Sequence, residues 1–347
     1  MGGKALKNIQ AIILNKNEFY ELQNEVLKKL TSLTKDVIPI KSYFNKKDFG
    51  DLDILISKPK PDYKDLKKFL ETEFNSKEIV NNSNIVSFEY NNFQIDLIFE
   101  NKENLEIAEF YFSYNDLNNM IGKTAYSFGL KFGFTGLYYP IRTKHGNLYD
   151  EILLTNEPKR IYEFLEYDYE RYSNGFNELE DIFEYVVSGK YFNPMKYLKE
   201  YEDKSLIDRT RTKKRKTYIE FIIWLENYII QNKNRIYFEF NDDKFSYVEF
   251  IEKSFPKSEL KEKIKDFKKN QEIQEEVNKK FNGKIVMNLI TGLIGKELGE
   301  FIINFKDLIS RENNSNFEEA VINHSEEEIK EKMLNYWNNN AKKNKSV

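Results

Sequence analysis

The sequence predicts an α+β protein in which a small mixed sheet with helices on it is followed by a mainly helical body. Three observations carry that prediction. Two apolar strand-like segments, FGDLDILI (Phe49 to Ile56) and FQIDLIF (Phe93 to Phe99), lie among helical patterns in the first hundred residues. Both follow the period of two that marks a strand. Beyond Pro158 the apolar spacing turns mainly helical.

The elements follow in order. Residues 18–33 place Phe19, Leu22, Val26, Leu27 and Leu30 on one side of a helix. Val37 to Ile40 and Asp51 to Ser57 read as strands, and the Pro59 and Pro61 turn stops the second. Asp62 is placed to cap a helix reaching Phe74. Ile85 to Tyr90 and Phe93 to Phe99 form a hairpin about Asn91-Asn92, because Asn tolerates the positive φ that such turns require. Asn115 to Ser127 reads as a helix ending at Gly129. Leu137 to Ile141 and Leu148 to Leu154 read as a second hairpin about His145-Gly146-Asn147. Pro158 suits the first turn of a helix running to Leu165. Helices are expected over 177–188, 213–231, 257–281, 295–309 and 325–337, with Ile236 to Phe240 as a strand. These elements suggest divisions at 1–155, 156–256 and 257–340.

Composition removes several kinds of chemistry. The chain has no cysteine, so disulfides, thiolate zinc sites and a cysteine nucleophile are excluded. Its two histidines, His145 and His324, argue against a histidine metal centre or a Ser-His-Asp triad. A net charge of −3 gives no global basic field, so any nucleic-acid track must be local. No apolar run approaches the roughly 20 residues of a membrane span. MGGKALKNIQ has no signal-like apolar stretch, and Leu6 stands where a myristoylation motif wants Ser or Thr. A cytoplasmic protein is expected.

The chemistry is concentrated in three aspartates. Asp51 and Asp53 share one strand face, since side chains alternate. Asp96 interrupts an apolar strand, where an unpaired carboxylate is costly. A bland alternative makes Asp51 a turn residue and the other two incidental. Converging carboxylates otherwise call for cations, and Mg²⁺ prefers oxygen ligands while leaving positions for phosphate. Asp51 and Asp53 suit a pair of Mg²⁺ ions roughly 3.5–4 Å apart, with Asp96 on one of them, and Mn²⁺ is an acceptable substitute.

On these residues the chain resembles the DNA polymerase beta-like nucleotidyltransferase superfamily, over roughly residues 18–100. That family carries a Gly-Ser or Gly-Gly turn after a strand, Asp-x-Asp on the next strand and a third Asp later. The matching pieces are Lys41-Ser42, Asp51, Asp53 and Asp96, with Lys41 departing from the usual Gly. The resemblance implies catalytic and metal roles for the three aspartates and nucleotide contacts at Lys41 and Ser42. Lys123, Lys131 and Arg142 are further candidates for triphosphate or RNA contacts, each also readable as a surface charge.

A second stretch, Phe281 to Ile309 followed by Asn316 to Ile329, is similar to the closing segment of bacterial tRNA nucleotidyltransferases and poly(A) polymerases. The matching residues are Gly283, Gly292, Gly295, Gly299, Asn323, Ser325, Glu327 and Glu328. Read structurally, the glycines Gly292, Gly295 and Gly299 allow close helix packing, and Ser325 with Glu328 forms a capping box. The family's Arg-Arg-Asp-Phe-Thr motif is absent. Its base-selecting Glu-Asp-x-x-Arg motif falls on Glu180 to Glu184, with Glu184 in place of Arg. A divergent, phage-like branch fits this pattern.

The basic run Asp208 to Tyr218 gathers Arg209, Arg211, Lys213, Lys214 and Arg215 at a helix start, where cations oppose the helix dipole and an RNA backbone would relieve them. The same run also reads as a solvated surface. The function expected from all this is transfer of a nucleoside monophosphate, from ATP first among NTPs, to the 3′-hydroxyl of tRNA or another RNA. Modification of a protein or small molecule is one alternative. An RNA-binding protein with a decayed site is the other.

Overall fold

The structure, a computed structural model, describes residues 5–9, 11–58, 60–143, 146–202 and 215–343. The chain divides into two units, Met1–Ser258 and Glu259–Val347. It is mixed α and β, with small sheets and a helical body. Among the described residues no helix is long and apolar enough to cross a membrane.

The first unit begins with β1 (Leu14–Asn15), α1 (Lys16–Leu30), β2 (Val37–Pro39), β3 (Asp48–Phe49), β4 (Asp51–Ser57), α2 (Tyr63–Phe74), β5 (Ile79–Asn82), β6 (Ile85–Tyr90) and β7 (Phe93–Glu100). Five strands form one sheet in the order β2-β4-β7-β6-β5. Only the β4–β7 pair within it is parallel. A parallel pair needs a crossover, and α2 with β5 and β6 supplies it.

Alternation gives that sheet two different faces. Leu52, Ile54, Ile56, Ile95, Leu97 and Phe99 pack on α1 and α2 through Phe19, Val26, Leu30, Leu66, Leu70 and Phe74. Phe19 stacks on Phe49 with ring centroids 3.9 Å apart, which anchors the chain just before Asp51. Asn15 and Glu18 close a capping box at the start of α1. Asp62 caps α2 by accepting from the Lys64 N–H at 2.8 Å. The β6–β7 turn has Asn91 and Asn92 at φ 54° and 60°, the paired left-handed geometry of a tight hairpin. On the opposite face, α3 (Leu105–Phe112) covers Leu55, with Ile38, Ile40 and Ile98 alongside. The rest of that face carries Asp51, Asp53, Ser87, Glu89, Gln94 and Asp96.

Next come α4 (Leu117–Ser127) and a second, antiparallel sheet of β8 (Lys131–Gly133), β9 (Gly136–Arg142) and β10 (Leu148–Thr155). Helix α4 starts later than the expected Asn115, because Tyr114 and Asn115 sit at φ 60°. His145 lies outside the described residues. Helices α5 (Pro158–Leu165), α6 (Tyr169–Ser173), α7 (Leu179–Ser188), α8 (Met195–Glu202), α9 (Lys216–Gln231) and α10 (Val248–Ser254) follow. Three buried tyrosines with satisfied hydroxyls join them. Tyr162 donates to the Asn118 side chain at 2.8 Å, Tyr172 to the Phe110 carbonyl at 2.9 Å and Tyr185 to the Asp168 carbonyl at 2.7 Å.

The expected strand at Ile236 to Phe240 does not form. Its aromatic residues are used for packing instead. Phe238 and Phe240 lie against Phe128, and the Phe238 carbonyl accepts from Asn193 at 2.8 Å rather than from a strand partner.

The second unit comprises α11 (Leu260–Lys280), α12 (Gly283–Leu289), α13 (Gly295–Asn313), α14 (Phe317–Ile322) and α15 (Glu326–Lys343) around Phe281, Val286, Phe301, Phe305, Val321 and Met333. The Ser325–Glu328 capping box forms, with bonds of 2.7 and 3.2 Å. The close-packing reading of the glycines fails. A Cβ on Gly292, Gly295 or Gly299 would meet nothing within 4 Å. Gly292 and Gly295 serve left-handed backbone, at φ 89° and 57°. Gly299 does neither and lies inside α13. Gly299→Ala should therefore raise stability by about 0.5–1 kcal/mol, the usual helix-interior difference, in urea unfolding followed by circular dichroism.

Candidate metal centre

The parallel register brings the aspartates together. Asp53 on β4 lies beside Asp96 on β7, and Asp51 lies beside Gln94. Asp51 and Asp53 point to one face, so three carboxylates meet. Each of Asp51, Asp53 and Asp96 offers an oxygen within 4.8 Å of the others. All three are partly buried.

Their electrostatics follow from the crowding. Burial, then the charges of Asp51 and Asp96, pushes the Asp53 carboxyl well above the usual carboxylate range, with Lys46 opposing. Burial also raises Asp96, against hydrogen bonds from Ser87 and Gln94. The Gln94 amide donates to both Asp96 oxygens, at 3.0 and 2.9 Å. The Lys46 ammonium is pulled down by burial and held up by Asp51 and Asp53. It sits 4.6 Å from the centre of the Phe49 ring.

Sequence reasoning missed Lys46 and Gln94. Nothing in Asn45-Lys46-Lys47-Asp48 separates Lys46 from Lys47, since the difference arises only when β3 turns the loop. Gln94 was legible as the residue two before Asp96 on the same face, but not as its partner.

The Lys41–Ser42 segment leaves β2 beside the cluster, because the Ile40 N–H bonds to the Asp53 carbonyl at 3.0 Å. The Lys41 ammonium lies 2.9 Å from Glu109 on α3. Burial pulls it down, and Glu109 more than offsets that, leaving it above its ordinary value. The loop is fixed further along, where the Phe44 and Asn45 N–H groups donate to the Phe176 and Asn177 carbonyls at 2.8 Å. No glycine is needed for this course.

The remaining candidates lie on other elements, with Lys131 on β8 paired to Glu151 at 2.7 Å. Lys123 lies partly buried on α4. Arg142, exposed at the end of β9, donates to the Gly146 carbonyl at 3.0 Å across its own hairpin. Arg215 pairs with Asp116 at 3.2 Å. Arg209, Arg211, Lys213 and Lys214 lie outside the described residues. Glu180 accepts from the Trp224 indole at 2.8 Å, and Asp181 caps α7.

Compared with known protein families and with curated proteins, the chain matches none.

The donor set suits a hard divalent ion, with oxygen ligands alone, three formal charges and a single facing lysine among the groups that shift them. A carboxyl whose folded pKa lies above its unfolded value keeps its proton longer in the folded state. Stability is then lost as pH rises from the unfolded value through the folded one. Without divalent metal, thermal stability should accordingly decline as pH rises out of the usual carboxylate range toward neutrality. Asp53→Asn should melt higher than the wild type at neutral pH in chelator, and millimolar Mg²⁺ should reverse that order.

Proposed function

We propose that this chain is a divalent-metal-dependent nucleotidyltransferase, moving a nucleoside monophosphate from an NTP, ATP first, to an RNA 3′-hydroxyl. The observation that carries the reading is the alignment of Asp53 with Asp96 across a parallel strand pair, with Asp51 on the same face. The resemblance of this pattern to the DNA polymerase beta-like superfamily supports it further. The parallel pair inside a small mixed sheet, backed by α1 and α2, is consistent with the catalytic domain that the resemblance implies.

In this reading Asp51, Asp53 and Asp96 hold Mg²⁺, for which Mn²⁺ can substitute. Bound there, the metal would supply charge stabilisation for the triphosphate and the attacking hydroxyl. The remaining work belongs to the chain. Lys46, facing Asp51 and Asp53, offsets part of the negative charge when the site is protein alone and is available to a phosphate when one arrives. Glu109 holds the Lys41 ammonium at the start of the loop, so that Lys41 and Ser42 are presented from a fixed backbone. Backbone pairing of β4 with β7 sets Asp53 beside Asp96, so the ligand positions are supplied by the sheet itself. In the net reaction the acceptor oxygen bonds to the α-phosphorus, the bond to the β-phosphate oxygen breaks, and pyrophosphate and a proton leave.

An RNA acceptor is favoured over a protein by the cationic run Arg209 to Arg215 and by the similarity of residues 281–329 to RNA-tailing enzymes. The test is incubation of the full chain with α-labelled ATP, Mg²⁺ and total cell RNA or protein. Label should enter RNA, and Asp53→Asn should reduce transfer about 1000-fold or more with the fold retained. Label on protein would replace the RNA reading with a toxin-like one. Undiminished transfer by Asp53→Asn would remove the mechanism.

A further inference from the structure

We propose that Gln94 is a positioning residue for Asp96, and that the segment Ala5 to Asn8 forms part of the metal centre by holding Gln94 in place. The inference rests on the metal reading of the aspartates.

Gln94 is only 2% exposed, so both ends of its amide need partners. Its Nε2 donates to both oxygens of Asp96, at 3.0 and 2.9 Å. Its Oε1 accepts from the Ala5 N–H at 3.0 Å and the Leu6 N–H at 3.4 Å. These partners fix the amide's orientation. Turned over, its oxygen would face a carboxylate and its NH₂ would face two backbone N–H donors.

The segment that holds Oε1 is itself tied down. The Leu6 side chain is buried at 5% exposure. The Glu78 carboxylate accepts from the Lys7 N–H at 2.9 Å, the Asn8 N–H at 2.8 Å and the Asn8 side chain at 3.0 Å. Farther on, the Ile12 N–H donates to the Asn92 carbonyl at 3.0 Å, at the β6–β7 turn. The backbone of this segment thus links two sets of hydrogen bonds, from Glu78 to Lys7 and Asn8 and from Ala5 and Leu6 to Gln94, which in turn holds Asp96.

The chemistry of this chain suits a support rather than a competitor. The Gln94 NH₂ has no lone pair for a cation, and of the roughly four acceptor positions of the Asp96 carboxylate Gln94 and Ser87 take three, which leaves one for an ion. Gln94 therefore locks the carboxylate's rotation while leaving it able to ligate. Groups that orient metal ligands in this way typically contribute 10–100-fold to metal affinity.

The probe is Mn²⁺ alone, with free ion measured by its electron paramagnetic resonance signal against the full-length wild type, Gln94→Met, Glu78→Ala and Asp53→Asn. Gln94→Met removes both ends of the amide at similar volume and should weaken Mn²⁺ binding about 10-fold or more. Glu78→Ala touches no candidate ligand, yet should weaken binding by a smaller factor, because it frees the segment. Unchanged circular dichroism separates either effect from unfolding. Wild-type Mn²⁺ affinity in either folded variant overturns the proposal. Loss of binding in both, in a protein that transfers no nucleotide, upholds it and removes only the transferase. A wild type that binds no Mn²⁺ removes both.

Discussion

Everything in the first unit depends on one pairing, β4 against β7, parallel and in a register that sets Asp53 beside Asp96. A shift of one residue would turn every side chain of one strand to the other face and disperse the carboxylates. The pairing works against electrostatics. Each ionised pair at the 4.8 Å upper bound of this cluster repels by on the order of 3 kcal/mol at a surface-like effective dielectric. The opposite face offsets that repulsion. Leu52, Ile54, Ile95 and Leu97 are each at most 1% exposed, and each buried side chain of this kind contributes about 1.5–3 kcal/mol. Apolar packing on α1 and α2 therefore sets the register, and the acidic face accepts the consequence.

That division of labour explains the composition of the two strands. Their inner positions are apolar, as any core strand requires. Their outer positions change character along the length. They are aliphatic at Leu55 and Ile98, where α3 covers them, and polar at Asp51, Asp53, Gln94 and Asp96. A face built only for stability would continue the first pattern. The polar half is where the sequence departs from fold economy, and such departures fall at functional or strained sites.

Much of this was legible in the residues. Strand β4, helix α2 with its Asp62 cap, the Asn91-Asn92 hairpin and Pro158 at the first turn of α5 all follow from local signals, and each forms. What was not legible depended on distant partners. Helix α3 lacks a clear polar face because only Glu106 along it is exposed, so its periodicity is weak. Ile236 to Phe240 has strand composition but finds aromatic neighbours instead of a strand. For the site, the three aspartates were readable from spacing, whereas Lys46 and Gln94 depend on a loop path and an N-terminal segment that spacing does not encode. The glycines of the second unit show the opposite error, in which a pattern suggested packing where two positions answer to backbone conformation and Gly299 to neither.

The most direct measurement is anomalous scattering from crystals of the full chain soaked in Mn²⁺ with a non-hydrolysable ATP analogue. The expected result is anomalous density between the carboxylates of Asp51, Asp53 and Asp96, with the analogue's phosphates reaching the same ions. Density confined to other sites, with the three aspartates bare at saturating Mn²⁺, would contradict the account.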